Sequence, residues 1–135
     1  MAELRLEIVT PEKRILDADV DSVTVPTASG EAGILPHHAP MVSALKPGIL
    51  TYVNKGVATR LAVAGGFIEV NSDRVAILAD TAETTAEIDV DAARTSKDEA
   101  EKALAAVATG SIEETEHARD RLEAASVRLQ LASGK

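Results

Sequence analysis

The chain is expected to fold as an antiparallel β-sandwich at the N-terminus, followed by a C-terminal antiparallel two-helix hairpin. Three observations predict this. All five prolines (Pro11, Pro26, Pro36, Pro40, Pro47) and six of the eight glycines fall in the first 66 residues. Turn formers and β-branched residues fill the chain to about residue 85, and alanine with charged helix formers fills the rest. The apolar period also changes, from two before the break to three and four after it. The expected domains are therefore a sandwich over 1–85 and a helical hairpin over 86–135.

The strands follow from alternation. "LRLEIVT" puts Leu4, Leu6 and Ile8 on one face and Arg5 and Glu7 on the other. "VDSVTVP" (20–26), "GILTYV" (48–53), "TRLAVA" (59–64), "FIEVN" (67–71) and "RVAILAD" (74–80) read as further strands. The turn signals "PEK", "TASGE", "NKG", "GG" and "NSD" separate them. Asn54-Lys55-Gly56 and Asn71-Ser72-Asp73 suit tight hairpins. Short strands at close spacing favour an antiparallel sandwich over a parallel sheet.

The helices follow from caps and seams. Asp89 is placed to cap a first helix, with Gly110 as its C′ residue. Ser111 and Glu114 have capping-box spacing and start a second helix, which runs to about Ala132. The short connection implies an antiparallel pair. The predicted seam is Ala93, Ala100, Leu104 and Val107 against Ile112, Ala118, Leu122, Ala125, Leu129 and Ala132. Half of these positions are alanine, which buries little apolar surface. The hairpin is thus expected to be helical but weakly held, able to detach, extend or re-dock.

Charge and composition exclude several functions. The net charge is -8, with no basic run, so phosphate backbones and anionic membrane surfaces are disfavoured partners. There is no cysteine, hence no disulfide and no zinc–thiolate site. No stretch approaches the roughly 20 apolar residues of a membrane span, so direct membrane insertion is not expected. "MAELRLEIV" lacks the basic and apolar regions of a secretory signal.

Candidate chemistry is sparse. His37 and His38 are adjacent, which in a strand points them to opposite faces, and no carboxylate follows at metal-ligand spacing. A small β-domain binding a metal or small ligand is the alternative they leave open. "DADVD" (17–21) opens like a calcium loop, but Ser22 and Ala28 stand where Gly and Glu are needed, so it reads as a charged strand edge. No phosphate-cradling G-x-x-x-x-G-K-[ST] and no nucleophile beside a His and a carboxylate is present. No metal, cofactor or catalytic residue is assigned.

"GEAGILPHHAPMVSALKPGIL" (30–50) resembles the central signature of the epsilon subunit of the bacterial F-type ATP synthase, and "VAGGFIEVNSDRVAILAD" (63–80) resembles that family's second block. "LEIVTPEKRIL" fits its first strands. The resemblance implies a non-catalytic central-stalk subunit on the cytoplasmic face of the bacterial plasma membrane, peripheral to it. The sandwich would dock on the gamma subunit and the c-subunit ring, coupling proton-driven rotation to ATP synthesis. The helices would reach the alpha/beta head, where they can inhibit ATP hydrolysis. It further implies that Glu31 faces the c ring and His38 lies toward gamma, with Ile34 and Leu35 either core or contact. Some members bind ATP on the hairpin. Here Ile88 and Asp89 match that motif, but its arginine position holds Ala92, and Arg94 comes two residues late. On the second helix Arg128 matches one expected arginine and Ala124 replaces the other. Asp89 and Arg128 are therefore remnants, and ATP binding is expected to be weak or absent.

Overall fold

The structure is a computed structural model and describes residues 3–107 and 110–133. Eight strands come first: β1 (Leu4–Val9), β2 (Arg14–Val20), β3 (Ser22–Thr27), β4 (Gly30–Ile34), β5 (Met41–Ala44), β6 (Gly48–Asn54), β7 (Val57–Asn71) and β8 (Arg74–Thr84). A single 3-10 turn (Thr85–Glu87) leads into α1 (Val90–Ala106) and α2 (Ile112–Ala132). The sandwich-plus-hairpin architecture is the one the sequence predicts.

Two long strands make both layers. β7 pairs with β6 along residues 57–63 and with β5 along residues 67–70. β8 pairs with β7 along its whole length. One layer is therefore β2-β1-β8-β7-β5, and the other is β4-β3-β6 with the opposite ends of the same β7–β8 hairpin. The ribbon bends at Gly65 and Gly66, whose φ values are 66° and 97°. A Cβ at Gly66 would strike the Leu78 carbonyl oxygen, so only glycine fits this bend. The Gly-Gly pair read as a turn between two strands is in fact a corner inside one strand.

Two further details differ from the sequence reading. β1 runs parallel to β8, so the sheet is not wholly antiparallel. β2, β4 and β5 are additional strands, and β4 and β5 flank the proline-rich segment. The hairpin turns behave as expected: Lys55 and Gly56, and Ser72 and Asp73, all have φ between 51° and 79°, the geometry of two-residue turns that match strand twist.

The core lies between the layers. Leu4, Leu6, Ile8, Val23, Val25, Leu50, Leu61, Ile68, Val75 and Ile77 are buried there, and the whole cluster comes from residues 4–82. The sandwich thus owes none of its core to the helices. Asp17 and Asp19 on the β2 edge pair with Arg5, at 2.8 and 3.3 Å. The Arg5 guanidinium holds the Asp17 carboxyl below the usual range. The acidic run "DADVD" is therefore a solvated, paired strand edge, which also discourages edge-to-edge pairing.

The helices are capped as predicted. Asp89 accepts the Ala92 N–H at 3.0 Å, and Ser111 accepts the Glu114 N–H at 3.1 Å. The α1 end departs from expectation: the C-cap is Val107, and Gly110 only returns its N–H to the Val107 carbonyl. Ala93, Ala100, Ala118 and Ala125 are buried in the seam. Ile112, predicted to join them, is 77 % exposed, and Leu131, not predicted, is buried. The cause is that α2 has two jobs. One stripe faces α1, while Val127, Leu131 and Ala132 face the sandwich. Ile112 sits at the far end of the helix and serves neither.

Candidate functional site

The segment "GEAGILPHHAP" divides into a strand, a turn and a lead-in. Glu31 lies in edge strand β4, exposed, beside the β3–β4 hairpin tip. Ile34 ends the strand in the core, while Leu35 turns outward and is exposed. Leu35 to His38 then form a turn in which Pro36 occupies the second position and His37 the third, with φ 69°. The His38 N–H closes it on the Leu35 carbonyl at 3.1 Å. The His37 N–H is held by Asp73 Oδ1 at 2.6 Å, which ties this loop to the β7–β8 turn. His38 Nδ1 lies 2.7 Å from its neighbour's carbonyl oxygen, Ala39 O. Proline, a left-handed residue and a carboxylate clamp together give a stiff surface loop. Among the described residues no group of three or more metal-ligating side chains occurs, so the metal-site alternative gains no support.

The two outer faces of the sandwich are unlike. On one, Ile49 of β6 and Ala62 of β7 are covered by Leu131, Val127 and Ile88. On the other, Phe67 lies directly between Ala44 and Leu78 across three strands, and Val42 stands two residues along from Ala44 on the same side. Phe67 is 58 % exposed, Leu78 51 % and Val42 71 %. Glu69 and Glu7 flank this row on neighbouring rungs. An open apolar row across a rigid sheet, beside the stiff loop, is a surface built for a partner. Sequence alternation alone hid it, because Phe67 and Leu78 read there simply as strand residues.

A second site lies between sandwich and hairpin. A cavity of about 610 Å³ is lined by the β1–β2 turn, the end of β8, Ser96 of α1 and one face of α2. Arg128 reaches it, joined by Arg121 and Lys13. Arg121 escaped sequence reasoning, although it stands seven residues, two helical turns, before Arg128 and so shares its face. Facing these three cations are Glu12, Asp80, Glu83 and Glu87. Asp89 does not line the cavity; its carboxylate caps α1 instead. Arg128 is already engaged, with Nη2 donating to Glu83 Oε2 at 3.3 Å and Nε 2.7 Å from Oε1. At the hinge, the Thr84 backbone N–H and hydroxyl, then Lys13, hold the Glu87 carboxyl below its usual range. Chemically this is a near-balanced, largely self-paired site, poorly suited to a polyphosphate.

Comparison with known proteins agrees with this architecture. Residues 3–85 match the family described as ATP synthase, Delta/Epsilon chain, beta-sandwich domain. The ATP synthase epsilon chain of Herpetosiphon aurantiacus is 45 % identical over 129 residues, covering 96 % of this chain and 93 % of the relative. That of Myxococcus xanthus is 43 % identical over 132 residues, covering 98 % and 93 %. A subunit in the structure of the Euglena gracilis mitochondrial ATP synthase (OSCP, F1 and c-ring) superposes with a TM-score of 0.77 at 26 % identity, covering 94 % of this chain and 79 % of that one. A chain of the Tetrahymena thermophila mitochondrial central stalk and c-ring shares the fold, with a TM-score of 0.62 at 18 % identity over 99 % of this chain and 98 % of that one. The chain belongs to the ATP synthase epsilon-chain family.

Proposed function

We propose that this central-stalk subunit of the rotary ATP synthase is a non-catalytic coupling wedge with a releasable brake. The uncovered face of Phe67, Leu78 and Val42 seats on gamma, with His38 at its margin. Glu31, exposed near the β3–β4 tip, meets the polar loops of the c-subunit ring. The α1–α2 hairpin swings out toward the alpha/beta head and slows ATP hydrolysis. The subunit sits on the cytoplasmic side of the plasma membrane, held by its partners; no helix among the described residues is long and apolar enough to cross a bilayer.

The observation that carries this reading is the contrast between the two outer faces. Torque transmission needs a stiff body with a fixed seat, and the open apolar row lies on the rigid layer far from the hairpin. Acidic Glu69 beside that row, without a salt-bridge partner among the described residues, favours a partner surface that is apolar at its centre and basic at its rim, whereas Glu7 is already paired with Arg14 at 3.1 Å. The brake reading rests on the sandwich having its own core and on the few apolar contacts that hold the hairpin down. One state of such a hairpin is not far in free energy from the other.

Single-cysteine cross-linking tests the placement, and it is clean because the chain contains no cysteine. In the assembled synthase, Cys at position 38 or 67 should link to gamma and Cys at 31 to a c subunit. Cross-links from 67 to no rotor subunit would overturn the seat.

A further inference from the structure

The hairpin meets the sandwich through two kinds of contact. One is the small apolar patch of Ala62, Ile88 and Leu131, with Ile49, Val127 and Ala132 partly buried around it. The other is ionic, between Arg128 on α2 and Glu83 on β8. Among the described residues it is the only ion pair joining the two helices to the strands. Both side chains are about three-quarters buried, at 24 % and 29 % exposure. The guanidinium does not meet the carboxylate as an ideal fork. Nη2 makes the hydrogen bond, whereas Nε, though 2.7 Å from Oε1 and buried, does not aim its N–H along that line.

We propose that the Arg128–Glu83 pair is a latch: it holds the hairpin down on the sandwich, and its strength sets the fraction of molecules with the hairpin released. The inference deepens the brake reading above and rests on it for its consequence. Position supports it. Glu83 stands at the end of β8, just before the hinge at Thr84–Glu87, while Arg128 lies near the C-terminal end of α2. The pair therefore spans the whole moving unit and restrains the helix that the chain itself leaves freest. Geometry makes the latch breakable. The open cavity beside it lets water reach both groups once α2 lifts, so neither charge is stranded when the contact parts. Lys13 lines the same space from the sandwich side and is a partner for a released Glu83, whereas Arg121 leaves with α2.

The test uses the full chain. Spin labels on cysteines introduced at the exposed positions Lys55 and Gln130 report the sandwich-to-α2 distance by pulsed electron resonance. Glu83→Gln and Arg128→Met should each raise the long-distance population about fivefold, the effect expected of one partly screened pair. The exchanged pair Glu83→Arg with Arg128→Glu should return most of it, and 0.5 M salt, about where screening is short-ranged, should open the parent chain but not Glu83→Gln. Protection of β7 and β8 amides from exchange shows whether the sandwich is intact in each variant. Should Glu83→Gln disturb it, Arg128→Met, which lies outside the sandwich core, decides alone. Unchanged distances in the single variants, or an exchanged pair as open as either, would overturn the latch. If the hairpin opens in the variants but hydrolysis by the assembled synthase is unaffected, the latch stands and the brake reading fails.

Discussion

Replacing Phe67 with alanine should weaken docking on gamma without weakening the free subunit. Phe67 is 58 % exposed in the isolated chain. A phenylalanine presents roughly 200 Å², so seating it removes about 115 Å² from water, worth about 3 kcal/mol at roughly 25 cal/mol per Å². Alanine keeps its Cβ, so the loss on truncation is about 2 kcal/mol, or roughly 30-fold in affinity. In the free chain the side chain points out of the core and touches Leu78 across the strand, so unfolding free energy should fall by no more than about 1 kcal/mol. The assay is binding of the purified subunit to the synthase head lacking it, by calorimetry, beside urea unfolding of each variant. Val57→Ala is the control: Val57 is as exposed, but it stands at the β6–β7 turn and not on the open face. Binding of Phe67→Ala within about twofold of the parent, with its fold intact, would refute the seating of this face.

Three other outcomes follow from the same structure. Gly66→Ala places a side chain at φ 97° against the Leu78 carbonyl oxygen and should cost about 3 kcal/mol or more in urea unfolding; a change below about 1 kcal/mol would mean that the corner is not strained as described. The Glu87 carboxyl is depressed in the folded state by Thr84 and Lys13. Its contribution is therefore fully present above its unfolded pKa, about 4.3, and is lost as pH falls through the lower folded value. Glu87→Gln should flatten the acid side of a stability–pH curve measured by circular dichroism, and an unaltered acid slope would contradict the hinge bonds. Calorimetric titration with ATP should find no saturable binding tighter than about 1 mM, because Arg128 is engaged by Glu83 and the cavity's carboxylates outnumber its cations; micromolar binding would show that Arg121 and Lys13 suffice.

What could be read from the sequence was what local chemistry decides. The caps at Asp89 and Ser111, the turns at Lys55-Gly56 and Ser72-Asp73, and the alternation of Leu4, Leu6 and Ile8 each depend on neighbours a few residues away. What was missed depends on distant partners. The parallel pairing of β1 with β8 leaves no local mark, and the run through Gly65-Gly66 looks like a turn until β8 is seen to follow it without a break. The phase of α2 was misread at Ile112 and Leu131 because one helix must serve both α1 and the sandwich, so no single stripe describes it. At the cavity, Arg128 was visible as a motif position, but Glu83 beside it was not, since forty-five residues and a change of domain separate them. The contact surfaces were legible only as a resemblance. The open row became a physical feature once three strands set Ala44, Phe67 and Leu78 side by side.

The most direct test of the account is ATP hydrolysis by the reconstituted synthase head, with the full chain and with residues 1–85 alone. The truncated form should fold, because every member of the sandwich core lies within it, and circular dichroism checks this. Both forms should bind, the full chain should slow hydrolysis, and the truncated form should not. Equal hydrolysis rates with both forms bound would contradict it, leaving a wedge without a brake.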